Sequence, residues 1–451
     1  MAQPTLKFSI EDLVITSNGD GTESCKFKLV NTKVEYANTL RRLILTGVEA
    51  VAFRSDINDK GQSSDVVLHS NSTPMTNEML ADRIGLLPIT WDWKEFGNPR
   101  DYVFSIDVKN TTQDLMDVTS NMINVKKTIA GAEPEVVPEV KKNFFAKDIL
   151  IAVLKPTPPG RTDEVSELKL TAVASTGIGR EHARFIPVSQ CSYRYTRDTT
   201  GSVLEDAMKK WIVDMKKLVS PNTWETISEE KQAALRLEFN TMEADRCYLK
   251  NADGEAMSFD FEIETIGTMK VIDIVDKALE RAVQICQRYA RLDSDDRFPA
   301  NMKPPVPPPN RLDGFDFVFT TPSYSTKDAD EAALKAINKN RVIDKLSSDH
   351  TLGNLLQTYI VDQVIPSDPK ITYAGYMIPH PLREEMLLRI GVKDKNQKDA
   401  RAAIATASAG CAAMFAEWQR VWREKNQLRA PAPRVVGPTA TQPKRKSGVR
   451  E

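Results

Sequence analysis

The stretch from Thr176 to His182 gathers the residue types that handle a phosphate or move a proton: Gly177, Gly179, Arg180, Glu181 and His182. Glycines after a strand let backbone amides approach an anion, and a histidine beside a carboxylate has the makings of a general base. The pattern goes no further. His182 takes the place of the third glycine of a dinucleotide fingerprint, and Pro187 leaves room for barely two helical turns. No nucleophile stands in evident sequence relation to His182. A nucleotide-dependent enzyme built on Gly177 to Gly179 is therefore the weaker reading, and a tight loop presenting Arg180, His182 and Arg184 to a protein neighbour is the stronger one.

Metal chemistry finds as little support. Cys25, Cys191, Cys247, Cys286 and Cys411 are scattered, the nearest two 39 residues apart, with no C-x-x-C pair. They read as reduced core thiols, and no metal or cofactor is expected. His350 follows Asp349 at a helix start, where capping is the default, and His380 between Pro379 and Pro381 reads as part of a turn. The 451 residues carry 61 Lys plus Arg against 62 Asp plus Glu, a formal charge of −1. Bulk-charge binding of nucleic acid needs a clear basic excess, so little direct nucleic-acid contact is expected. With 41% apolar residues, no apolar run of membrane-spanning length and no signal-like start, the expectation is an intracellular, soluble, globular protein without membrane association.

The elements that must position these groups can be read from periodicity. Runs at Leu6 to Ile15 and Ser24 to Val30 flank an Asn-Gly-Asp-Gly turn and predict a hairpin. Thr32 and Glu35 have capping-box spacing ahead of Ala37, Leu40, Ile44, Val48 and Val51, which predicts a helix over about 33–50. On that helix Arg41 flanks the apolar stripe and Arg42 faces away from it. The middle of the chain reads as mostly β, interrupted by a helical patch at 203–244, and sheet returns at Met257 to Glu264 before a helix striped by Val271, Val275, Ala278, Ala282, Ile285 and Tyr289. Six prolines from Pro299 to Pro309 predict a semi-rigid spacer that supplies proximity and no contacts. Beyond it come a strand near Phe315 to Phe319, a second near Val342 to Leu346, a helix over 351–364, strands at Ile371 to Met377 and Met386 to Ile390, a long helix bearing Phe415, Trp418 and Trp422, and a disordered basic tail.

An internal repeat links the two parts. Ala37-Asn38-Thr39-Leu40 and Gly353-Asn354-Leu355-Leu356 both read small, Asn, any residue, Leu. A small residue permits close approach and flanking leucines make a ridge, so each helix is suited to pack on a partner, which implies a pseudo-twofold pair inside one chain.

These residues also resemble a known family. The first 290 are similar to the third-largest subunit of eukaryotic RNA polymerase II, its archaeal counterpart and the bacterial α subunit. The resemblance rests on Ala37, Asn38, Leu40, Arg41 and Arg42; on Asn71, Ser72, Asp82, Arg83, Gly85, Leu86 and Pro88; and on Gly177, Ile178, Gly179, Glu181, His182, Ala183 and Pro187. The segment 311–425 resembles the eleventh subunit through Asp349 to Leu356 and Ala374, Gly375, Tyr376, Pro379, His380, Pro381 and Leu382. Such a fusion is similar to that in polymerases of large DNA viruses of eukaryotes.

The resemblance implies an α+β fold of two α-subunit-type dimerisation domains, each an antiparallel sheet plus helices, forming an intramolecular pseudo-heterodimer with a β-rich insert. The divisions expected are 1–52 and 256–292 for the first dimerisation domain, 53–255 for the insert with its helical patch, 293–310 for the linker, 311–425 for the second dimerisation domain and 426–451 for the tail. The resemblance further implies a non-catalytic platform on which the largest and second-largest polymerase subunits assemble, with small zinc-binding subunits of the tenth and twelfth types as further partners. Transcription would take place in a viral factory in the cytoplasm or in the nucleus, with packaging in the virion. The surface expected to meet the second-largest subunit comprises Arg41, Arg42, Asn71, Arg83, Arg180 and His182. The internal pairing is expected to use Asn38, Leu40, Ile44, Leu352, Asn354, Leu356, Phe415 and Trp418. The cysteine cluster that such inserts often carry is missing here, since no cysteine lies between Cys25 and Cys191. The alternative to a polymerase subunit is a free-standing interaction scaffold.

Overall fold

The computed structural model describes residues 8–56, 65–128, 135–136, 144–160, 165–200, 203–216, 228–294, 297–309, 313–322 and 340–427. The expected basic tail lies outside them. The chain opens on the hairpin β1 (Ser9–Ser17) and β2 (Glu23–Val30), whose turn uses Gly19 and Gly21 at φ of +75° and +83°, where a side chain would be strained. Helix α1 (Val34–Thr46) comes next. The capping box does not form: Lys33 is the N-cap without a side-chain bond, and the Thr32 hydroxyl is buried without a partner. The helix also stops earlier than its apolar period predicts, because Glu49–Ala52 leaves as strand β3.

The insert then runs in order through β4 (Val66–Asn71), α2 (Asn77–Gly85), β5 (Tyr102–Asn110), β6 (Met116–Thr119), β7 (Asn124–Lys127), β8 (Glu135–Val136), β9 (Leu150–Leu154), β10 (Ser166–Val173) and β11 (Ser175–Ile178). Its main sheet runs β4-β10-β5-β7-β8 over a core that includes Phe53, Trp91, Phe104 and Phe144, while β11 pairs with β3. Strand β12 (Val188–Tyr195), expected within the insert, instead pairs with β13 (Ser258–Thr265) in a sheet ordered β1-β2-β13-β12. The first dimerisation sheet is therefore regained near residue 188 and not at 256. The helical patch is a pair of helices, α3 (Val203–Lys216) and α4 (Glu229–Met242), with a small core of their own around Met208, Ile212 and Phe239. Helix α5 (Val271–Gln287) buries Val271, Ile274, Val275, Ala278, Ala282 and Ile285, the face its period predicts.

The second half contains β14 (Gly314–Thr320), α6 (described over 340–347), α7 (His350–Tyr359), β15 (Ile371–Met377), β16 (Glu385–Val392) and α8 (Gln397–Lys425). The strand expected at Val342 to Leu346 is helical. Val342, Ile343 and Leu346 sit at helical spacing in the core, and the Ser347 hydroxyl donates back to the Ile343 carbonyl at 2.7 Å. Helix α7 continues through a π turn at Ile360–Val364.

The proline run is more than a spacer. Met302 bridges Phe319 and Val306 bridges Asp316, with the Lys303 amide donating to the Val318 carbonyl at 2.9 Å. Prolines on either side lack the donor, but Lys303 and Val306 retain theirs and direct them at β14. The second sheet, β14-β16-β15, thereby gains at its β14 edge the partner that β1 supplies to β2 in the first. Each half thus shares an order of two edge-side strands, a helix that packs between the halves, two further strands and a long helix, with α6 added before α7 in the second half and α3 and α4 added between β12 and β13 in the first. In the first half the insert occupies the connection between α1 and β12.

Candidate functional site

Among the described residues, the elements position surfaces for protein contact, one between the halves and one facing outward. The inner surface starts from α1 and α7, whose Leu40, Ile44, Leu352, Leu355 and Leu356 are at most 1% exposed and belong to one core spanning both halves. Asn38 spends its side-chain oxygen within its own helix, accepting from Arg41 Nε at 3.0 Å, and Asn354 is half-buried on α7. Gly353 serves its own half: a Cβ there would meet the Tyr376 ring at 2.4 Å. The small residue therefore admits an aromatic ring, not the facing helix.

Helices α5 and α8 make the larger contact. Phe415 and Trp418 are buried, and Trp418 stacks on Phe8 at 4.4 Å between ring centres. Trp422 is fully buried, edge-on to Phe27 at 5.3 Å, with Nε1 donating to the Ile272 carbonyl at 3.1 Å. One turn of polar chemistry fixes the register: Arg423 forks onto the Asp276 carboxylate at 2.6 and 2.9 Å while Gln419 donates to the Asp276 carbonyl. At the other end Arg288 pairs at 2.8 Å with Asp344, which is fully buried, and reaches Asn340 on α6. Beside it Asn301 donates to the Tyr289 hydroxyl at 2.6 Å, and burial pushes that phenol up to about 12.

Arg42 belongs to this inner surface as well. Its Nε donates to the Thr351 hydroxyl at 2.7 Å and Nη2 to Asp349 at 3.1 Å, and Asp349 also caps α7 through the Thr351 amide. The side chain leaves the stripe of its own helix, as the period predicts, but its guanidinium is bound by the second half of the same chain.

The outward surface gathers around the C-terminal end of α2 and the loop after β11. Arg184, whose side chain is 3% exposed, donates to the Phe53 carbonyl at 2.8 Å, the Ser55 hydroxyl at 2.7 Å and His182 Nδ1 at 3.0 Å. Gly85 leaves room for it, since a Cβ there would stand 3.0 Å from the guanidinium. Ser55 in turn donates to Asp82 at 2.6 Å. Arg184 thus ties exposed His182, through Ser55, to Asp82 of α2, whose neighbour Arg83 is exposed and donates to the Leu150 carbonyl. Arg180 is exposed on the same loop, its amide bonded to the Thr46 carbonyl of α1. Asn71 is set apart in the β4–α2 turn, where its side chain holds Thr73, Met75 and Asn77. Arg184, expected to be presented to a neighbour with Arg180 and His182, is instead buried and shapes the surface from beneath, because its guanidinium is taken up by Phe53, Ser55 and His182; Glu181 stood in the motif as the carboxylate beside the histidine.

The glycine loop has no cradle to offer. A Cβ at Gly177 would fall 2.5 Å from the Phe185 ring and one at Gly179 2.3 Å from the Leu45 carbonyl oxygen, so both glycines are used for packing. The loop leads into a single turn at Ala183–Phe185, too short to direct a helix dipole at a phosphate. Among the described residues no group of three or more metal-ligating side chains comes together, and no helix is long and apolar enough to cross a membrane.

Paired sheets and helices with a β insert, joined through facing helices, define a dimerisation module. Two models, each described as RNA polymerase Rpb3/Rpb11 dimerisation domain, match this chain, one over residues 26–286 and the other over 343–420, and the chain belongs to that family. It is similar to subunit 3 of the DNA-directed RNA polymerases II, IV and V of Arabidopsis thaliana, 27% identical over 209 residues that make up 43% of this chain and 59% of that one. It is likewise similar to the RPAC1 subunit of RNA polymerases I and III of Bos taurus, 27% identical over 297 residues, 59% of this chain and 80% of that one. The Rpo3 subunit of Methanopyrus kandleri is 27% identical over 273 residues, 57% of this chain and 87% of that one.

Proposed function

We propose that this chain is a non-catalytic assembly subunit of a DNA-directed RNA polymerase, in which a third-type half and an eleventh-type half are fused as one polypeptide. The observation that carries the reading is the continuous core shared by two dimerisation domains of one family within a single chain. Two subunits that would otherwise have to find each other are joined through 302–306, which extends the sheet of the second half. The domain divisions proposed are those expected from sequence, with the insert closing near 187.

In this reading the second-largest subunit meets the first half at Arg83, Arg180 and His182, the largest subunit meets mainly the second half, and small zinc-binding subunits of the tenth and twelfth types join the same platform. Arg41 and Asn71 remain candidates at its margin. Arg42 acts in the pairing. The proposed fusion resembles the arrangement in large-DNA-virus polymerases, which would place the protein at the site of viral transcription and in the virion. Affinity purification of the full chain from its source, followed by mass spectrometry, tests the reading. Two polypeptides with polymerase large-subunit sequences should be recovered in stoichiometric amounts; recovery of unrelated partners would make the chain a free-standing scaffold.

A further inference from the structure

We infer that the Glu181 carboxylate couples pairing of the halves to the shape of the outward loop 176–186, so that the second half completes the surface carrying Arg180 and His182. Glu181 stands between those two exposed residues, yet its own side chain turns inward and is 14% exposed. One oxygen accepts from Arg54 at 2.8 Å and the other from Lys345 of α6, in the second half, at 3.4 Å. The same Arg54 guanidinium donates to the Thr176 carbonyl at 2.8 Å and lies 4.8 Å from the centre of the Phe185 ring, so it grips both ends of the loop. Burial raises the Glu181 carboxyl, but Arg54 and Lys345 outweigh it and hold the group below its ordinary value. A carboxylate shared in this way transmits position: when α6 is in place, Lys345 completes the cation pair that orients Glu181, and Glu181 sets Arg54 across the loop.

That a protein partner reads this loop rests on the assembly-subunit reading; the coupling itself does not. Amide hydrogen exchange on the full chain measures it at Arg180, Glu181, His182, Phe185 and Ile186, whose amides bond to Thr46, Ile178, Ile178, His182 and Ala183. Lys345→Met should speed exchange at these positions about threefold or more while α5 and α8 keep their protection, and Lys345→Arg should restore the slow rates. Unchanged exchange in Lys345→Met overturns the coupling. Should Lys345→Met loosen α5 and α8 as well, Glu181→Gln, which leaves α6 intact, decides by the same criterion. In parallel, capture of the co-expressed second-largest polymerase subunit should fall about threefold in Lys345→Met and recover in Lys345→Arg. Faster exchange with undiminished capture overturns the claim that the second half completes the surface, whereas a wild-type chain that captures no large subunit overturns the functional reading and leaves the exchange result to judge the coupling.

Discussion

Trp422 offers a quantitative measure of how the halves are held. Its indole is fully buried, its ring partner Phe27 and its hydrogen-bond acceptor Ile272 both lie in the first half, and it stands itself on the last helix of the second. Replacing a buried tryptophan by alanine costs about 3–5 kcal/mol through lost contact and the cavity left behind. Trp422→Phe keeps most of the apolar contact and loses the N–H, at about 1 kcal/mol. A chain carrying a protease site at 310–312 and cut there yields two fragments whose affinity reads this cost directly. At 1.4 kcal/mol per tenfold, Trp422→Ala should raise the fragment dissociation constant by about 10²- to 4 × 10³-fold, and Trp422→Phe by about fivefold. Analytical ultracentrifugation across a dilution series is the assay. Less than tenfold weakening by Trp422→Ala, or equal weakening by both variants, would show that α5 and α8 do not carry the association.

Arg42→Glu should destabilise the intact chain by about 2–4 kcal/mol, seen as a lower urea midpoint, because it sets a carboxylate against Asp349, whose side chain is only 6% exposed. Gly179→Ala should lower the melting temperature through a clash with the Leu45 carbonyl, at about 1–3 kcal/mol, and no nucleotide should shift the melting of the wild type. Glu181 is held below its ordinary carboxyl value of 4.5, so its ionised form adds stability above that pH and loses it as pH falls through the lower folded value. The stability gap between wild type and Glu181→Gln should therefore be constant above about pH 6 and close below pH 4.5; a gap that widens in acid would contradict the ion-pair assignment.

Much of this architecture was legible because its elements are strongly periodic. The stripes of α1, α5 and α8 specify buried faces, and the hairpin turn at Gly19 and Gly21 specifies the first sheet. The errors have physical causes. Five apolar-rich residues at Val342 to Leu346 are too few to tell strand from helix. Strand β12 presents Arg194 and half-buried Tyr193 and Tyr195 instead of clean alternation, so an edge strand passed for part of the insert. Prolines mark an extended course but not which neighbouring amides still pair, and the sheet at 302–306 went unseen. A helical period shows where Arg42 points relative to its own stripe; that Asp349, 307 residues away, waits there is knowledge only the fold holds.

Copy number in the assembled enzyme tests the central claim most directly. Native mass spectrometry of the complex purified through this chain should show one copy of it beside one each of the two large subunits, with no separate third-type or eleventh-type subunit. Two copies per complex, or one copy accompanied by a separate eleventh-type subunit, would contradict the account of a fused pair that builds the platform alone.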